Sequence, residues 1–200
     1  MTIFNHFVTI KRKFKQGGGC NIKKWFIFAL ISIAVGWTII NHFLLDKKED
    51  IASKSNIPIG TEVGNAALDF LLETTTGQEV RLTDYKGKKV ILNFWASWCG
   101  PCKIEMPDME KFYHDTKDMG IEIVAINATA TEKDPNNVKQ FLEENKYTFP
   151  VLLDQKGQAS AAYQIISIPT SFVIDTNGVI QYKHVGPMTY EKMKEYVNNL

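Results

Sequence analysis

"NFWASWCGPCKIEMP", residues 93–107, decides how the rest of the chain is read. With the residues before it, it forms "KKVILNFW" (88–95), a continuous apolar run of the kind a strand buried on both faces requires. Cys99 and Cys102 follow at once, two residues apart. A helix is predicted from Cys99 to about Lys117, interrupted at Pro107, which has no backbone donor, and stopped by Gly120. A Cys-x-x-Cys pair between strand and helix has four uses: holding a metal, carrying a haem, stapling the fold or shuttling electrons.

A structural zinc site takes four ligands, and the pair supplies two. No second pair exists, and His6, His42, His114 and His184 are scattered without ligand spacing. Covalent haem attachment needs histidine at 103, where the chain has Lys103. A peroxide-reducing Pro-x-x-x-Thr-x-x-Cys pattern would need proline and threonine where Leu92 and Ala96 stand. Neither metal nor cofactor is therefore expected. Redox exchange and a staple remain, and a staple closing so small a loop adds little stability. Exchange suits the spacing better. The helix N-terminus favours a thiolate at Cys99, and Cys102, one turn in, is the expected resolving thiol, the more buried of the two. Gly100 lets a substrate backbone approach, and Pro101 fits a first turn that needs no N–H.

Further along, "ALDFLLETTTGQEVRL" (67–82) reads as a hairpin around Gly77, and "IEIVAINA" (121–128) as a second buried strand. "DPNNVKQFLEENK" (134–146) has apolar residues at helical spacing, "FPVLLD" (149–154) reads as a strand and "QASAAYQI" (158–165) as a short helix. "SIPTSFVIDTNGVIQYKHVG" (167–186) is a hairpin turning at Asn177-Gly178, and "TYEKMKEYVNNL" (189–200) a final amphipathic helix. The order β-β-β-α-β-α-β-α-β-β-α predicts an α/β fold with helices on both faces of a central sheet.

The N-terminal quarter differs in kind. Residues 1–24 hold Lys11, Arg12, Lys13, Lys15, Lys23 and Lys24 and no acid, a basic leader expected in the cytoplasm. "WFIFALISIAVGWTIINHFLL" (25–45) has no Asp, Glu, Lys or Arg, and as a helix it would span about 30 Å, the thickness of a hydrocarbon core. One transmembrane helix is expected there. A cleaved signal peptide is the alternative, but no small-x-small site closely follows, so a retained signal-anchor is favoured. Cys20 follows "KRKFKQGGG" rather than an apolar run, which excludes a lipoprotein attachment site. Residues 46–58 read as a linker and 59–200 as the domain, outside the cytoplasm. From Ile51 to Leu200 there are 15 basic and 19 acidic side chains, a net of −4, which argues against nucleic-acid binding.

"FWASWCGPCK" followed by "SIPTSFVID" resembles the thioredoxin superfamily, and over about Ile59–Leu200 its membrane-tethered TlpA/ResA-like branch. Three features carry the finer placement: the hairpin before the core strand, a helix-strand insertion over about Lys133–Asp154, and Asn93 where thioredoxins carry a buried Asp. The resemblance implies a thioredoxin fold with an added N-terminal β-hairpin and a central helix-strand insertion. It also implies a catalytic pair Cys99 and Cys102 forming a redox-active disulfide. Glu105, otherwise an ordinary helix-face glutamate, becomes the branch's proton acceptor. Pro169 matches the family's cis-proline, which blocks metal capture and leaves Ile168 free to pair with an extended substrate. Trp98, Gly100, Pro101, Ile168, Pro169 and Thr170 are the implied substrate-binding residues, while Trp95 reads as core. Leu68 departs from the branch's "APDF", and Gly-Pro between the cysteines is the thioredoxin dipeptide, which points to a reductant without naming its substrate.

The function implied is a thiol-disulfide oxidoreductase that mainly reduces protein disulfides outside the cytoplasm. Apocytochrome c, in cytochrome c maturation, is the first substrate class, and a CcdA/DsbD-type membrane thiol carrier the implied electron donor. The alternatives are an oxidase or isomerase of secreted proteins, and a non-catalytic polypeptide-binding module.

Overall fold

The run at 88–95 becomes a central strand because its alternate residues feed two separate cores. In the strand Lys89–Trp95, Ile91 and Trp95 enter a cluster with Cys99, Cys102, Met106, Met109 and Phe112. Val90, Leu92 and Phe94 enter a second cluster with Phe70, Leu72, Tyr163 and Phe172 on the opposite face. A strand lined on both faces has no polar side to show, hence the unbroken apolar run. Asn93, fully buried, is its polar exception.

The computed structural model describes residues 57–200 together with Val35 and Trp37, both helical and exposed. The leader, most of the linker and, but for those two residues, the anchor expected over 25–45 lie outside the described residues. Among the described residues, no helix is long and apolar enough to cross a membrane. The elements are β1 Ile59–Gly60, β2 Ala66–Ala67, β3 Leu71–Thr74, β4 Glu79–Arg81, β5 Lys89–Trp95, α1 Gly100–Thr116 and β6 Ile121–Asn127. There follow α2 Asn136–Asn145, β7 Val151–Leu153, α3 Gln158–Ala162, β8 Thr170–Ile174, β9 Ile180–Val185 and α4 Tyr190–Asn198. Seven strands form one mixed sheet in the order β4-β3-β7-β6-β5-β8-β9. Strands β5, β6 and β7 are parallel, and β8, β9, β3 and β4 join antiparallel. Helices α1, α2 and α4 cover one face, through Met109, Val138 and Met193 among others. The short α3 covers the other with Ala159 and the adjoining Tyr163.

The hairpin and the insertion meet: β3 pairs with β7, Glu73 opposite Leu153. In the β8–β9 turn, the Asp175 carboxylate accepts the N–H groups of Asn177 and Val179, and Gly178 takes a φ of 84°. Two expectations need correction. Strands β1 and β2 form a separate parallel pair that was not expected, each being only two residues long. The helix expected to be interrupted at Pro107 is continuous through it, Gly100–Thr116, and it begins at Gly100, with Cys99 as its N-cap. Pro107 and Lys103, the residue whose carbonyl Pro107 cannot serve, are both exposed, so water can take that carbonyl's partnership.

Candidate active site

Strand β5 ends at Trp95, and the chain turns through Ala96, Ser97 and Trp98 to place Cys99 at the N-cap of α1. Pro101 occupies the first turn, where the missing N–H would have had no helical partner. The two cysteines are joined as a disulfide, their Cα atoms 5.3 Å apart. Cys99 Sγ accepts the Cys102 N–H at 3.2 Å. That N–H, together with the helix dipole, is positioned to stabilise a Cys99 thiolate once the disulfide opens. Cys102 is fully buried and Cys99 is 4% exposed, so the difference in access expected between them is small in this oxidised state.

The Ile168 carbonyl oxygen lies 3.7 Å from Cys99 Sγ, and the Ile168–Pro169 bond is cis. The loop before β8 is knitted by Thr170 Oγ1, which donates to the Ser167 carbonyl at 2.8 Å, and by the Gly186 N–H on the Pro169 carbonyl. Beside this loop lies a groove of about 410 Å³ lined by Trp98, Ala128, Thr131 and residues 165–168. Ile166 stands 98% exposed on its rim and Trp98 55% exposed. Trp95, by contrast, is fully buried against Phe141. Gly100 and Pro101 are exposed next to the sulfurs.

Glu105 is one turn beyond Cys102 on α1, a spacing that puts both on one helix face. Its carboxyl is 2% exposed, which excludes the ordinary solvated glutamate. Oε1 accepts Asn93 Nδ2 at 2.8 Å, and Oε2 accepts the Met188 N–H at 2.9 Å. Burial pushes its pKa up from 4.5 to about 7, against the pull of the Met188 and Asn93 hydrogen bonds. Asn93 Nδ2 also donates to Ser171 Oγ on β8, while Asn93 Oδ1 has no partner among the described residues. The Asn93 that marked a departure in the sequence is thus the residue holding Glu105. Among the described residues, no three His, Cys, Asp or Glu side chains gather as a metal-holding group.

Sequence reasoning missed Glu132, whose carboxylate accepts the Ser97 N–H at 2.7 Å, the Ser97 hydroxyl at 2.5 Å and Asn127 Nδ2 at 3.0 Å. It lies 35 residues from Ser97 in a loop, and no local spacing could have announced it. Met188, which supplies a backbone N–H alone, leaves no signal in the sequence either.

The geometry provides an exchangeable disulfide, a thiolate-stabilising helix end and a buried carboxyl that titrates near neutrality. The AhpC/TSA family model matches residues 63–183. Thioredoxin-like protein YneN of Bacillus subtilis (strain 168) is 41% identical over 174 residues, covering 87% of this chain and 96% of its own. Thiol-disulfide oxidoreductase ResA of Geobacillus thermodenitrificans (strain NG80-2) is 37% identical over 174 residues, covering 87% and 92%. The crystal structure of StoA from Bacillus subtilis superposes with a TM-score of 0.60 at 40% identity, over 66% of this chain and 98% of that one.

Proposed function

Since this chain belongs to the AhpC/TSA family and to the TlpA/ResA-like branch of the thioredoxin superfamily, we propose that it works mainly as a reductant of protein disulfides outside the cytoplasm. It is a thiol-disulfide oxidoreductase with a Cys-Gly-Pro-Cys centre on a thioredoxin-like α/β fold. The single observation that carries the reading is Cys99, held at the N-cap of α1 with the Cys102 N–H on its sulfur and joined to Cys102 in a disulfide.

In the reducing direction the Cys99 thiolate attacks one sulfur of a substrate disulfide. The substrate S–S bond breaks, its other sulfur leaves as a thiolate, and a Cys99–substrate mixed disulfide forms. Cys102 then gives its proton to the Glu105 carboxylate and attacks Cys99 Sγ. The substrate leaves with two thiols' worth of electrons, and Cys99–Cys102 is oxidised. Glu105 suits the proton step because a carboxyl titrating near 7 exchanges protons readily at neutral pH. The groove along Trp98 and Ile168 receives the substrate chain, with Gly100, Pro101, Pro169 and Thr170 around the sulfurs.

The apolar run 25–45 with its basic leader supports a single membrane anchor with the N-terminus in the cytoplasm and the domain outside. A reductant placed there needs electrons from across the membrane, and a CcdA/DsbD-type thiol carrier fits that demand. Apocytochrome c is the substrate class proposed, in cytochrome c maturation. The test is the equilibrium reduction potential of the full chain against a dithiol couple. A value at or below about −270 mV supports the reductant, and one near about −120 mV overturns the direction in favour of an oxidase. Full biological activity in a Cys99→Ser, Cys102→Ser double variant would reduce the protein to a binding module.

A further inference from the structure

Ala96, Ser97 and Trp98 link the end of β5 to the nucleophile, and one distant loop grips the last two. After β6 the chain makes a tight turn over Thr129–Thr131, closed by the Thr131 N–H on the Ala128 carbonyl and tied down by the Ala130 N–H on the Asp154 carbonyl. The turn delivers two side chains to the link. Glu132 takes the Ser97 N–H and hydroxyl on its two oxygens, at 2.7 and 2.5 Å, and shares Oε1 with Asn127. Thr131 Oγ1 accepts Trp98 Nε1 at 3.3 Å while donating its own proton to the Ala128 carbonyl.

We propose that Glu132 is a positioning residue for substrate capture. With Thr131 it sets the Ser97–Trp98 link, and through it the Trp98 wall of the groove that faces Ile166 and Ile168. The assignment rests on the oxidoreductase reading and adds to it the residue that fixes docking geometry. Hydrogen bonds to an ionised acceptor are the strong ones, and here they converge on a single residue of the link. Trp98 is more than half exposed, so its indole needs such an anchor to present one face to a substrate. Cys99 has holds of its own besides Glu132, its N–H on the Ala96 carbonyl, which closes the turn over Ser97 and Trp98, and the first turn of α1. Attack on a small disulfide, which needs no groove, is therefore insensitive to Glu132. Capture of a polypeptide, which a displacement of about 1 Å can weaken by orders of magnitude, is not.

The experiment compares the reduced full chain with its Glu132→Ala and Glu132→Gln variants on two substrates, dithiobis(nitrobenzoate) and a short peptide containing one disulfide. In Glu132→Ala the KM for the peptide rises about tenfold, the loss of roughly one charge-assisted hydrogen bond from docking, while kcat and the rate on the small disulfide stay within about twofold. Glu132→Gln restores the peptide KM, because its Oε1 can take the Ser97 N–H and its Nε2 can donate to Ser97 Oγ. An unchanged peptide KM in Glu132→Ala, or equal losses on both substrates, overturns the assignment. If Glu132→Ala does not fold, Thr131→Val stands in, removing the acceptor of Trp98 Nε1 together with the hydroxyl's bond to the Ala128 carbonyl; a rise in peptide KM supports the clamp and no rise overturns it. A wild-type chain that reduces neither disulfide refutes the oxidoreductase reading itself, a failure distinct from that of the clamp.

Discussion

Replacing Glu105 by glutamine stabilises this protein at pH 8 and leaves its stability nearly unchanged at pH 4. The carboxyl is raised from 4.5 to about 7, first by burial, with the Met188 and Asn93 donors opposing. Between those two pH values the native state keeps the proton that the unfolded chain has lost. The unfolded state then binds fewer protons, so stability falls as pH rises through the window and stays lowered above it. At about 1.4 kcal/mol per pH unit the full effect is about 3 kcal/mol. Glu105 is 2% exposed, so water screens it little.

Glutamine is accommodated in the same place. Its oxygen can accept the Met188 N–H, and its amide can donate to Asn93 if Asn93 turns its unpartnered Oδ1 inward. The assay is denaturant unfolding of the full chain, disulfide intact, for wild type and Glu105→Gln from pH 4 to pH 8. Every other titrating group is common to both proteins, so the difference between the two curves isolates Glu105. That difference grows in the variant's favour by about 3 kcal/mol, mostly between pH 5 and 7. Curves that stay parallel within about 0.5 kcal/mol, or that diverge the other way, refute the raised carboxyl and with it the proton role given to Glu105.

Two further outcomes follow from burial and bonding. Cys102→Ser, incubated reduced with a disulfide-containing protein, accumulates a mixed disulfide through Cys99 visible on a non-reducing gel, whereas Cys99→Ser yields none. Trp95→Ala lowers unfolding free energy by about 3–5 kcal/mol, since its ring is fully buried, while Trp98→Ala changes it by less than about 1 kcal/mol and instead raises peptide KM.

The active-site pair was legible in the sequence because its chemistry is local. Cys99, Gly100, Pro101 and Cys102 sit within one helical turn, and the strand before them is apolar on both faces. The hairpin and the insertion were legible as separate pieces, but not their pairing, because Glu73 and Leu153 are matched by long-range register rather than by any nearby residue. The interruption expected at Pro107 does not divide α1, and the exposure of Pro107 and Lys103 that tolerates the missing donor is not written in the local sequence. Strands β1 and β2 are too short to carry a period.

Asn93 shows how a departure from a pattern can be read. An aspartate there would lie 2.8 Å from the buried Glu105 oxygen, and two carboxylates so close cannot both ionise, so one would hold its proton at neutral pH. Asparagine removes that conflict and adds something aspartate lacks, an amide with a donor end and an acceptor end. With Glu105 ionised, Nδ2 serves both the carboxylate and Ser171 Oγ, and Oδ1 is left without a partner. With Glu105 protonated, a turn of the same amide brings Oδ1 to face the carboxyl proton and the Ser171 hydroxyl, and Nδ2 becomes the unserved end. Each state leaves one amide end unserved and each satisfies the carboxyl. The carboxyl is thus served in both protonation states at the cost of one turn of the Asn93 amide, which suits the proton role proposed for Glu105.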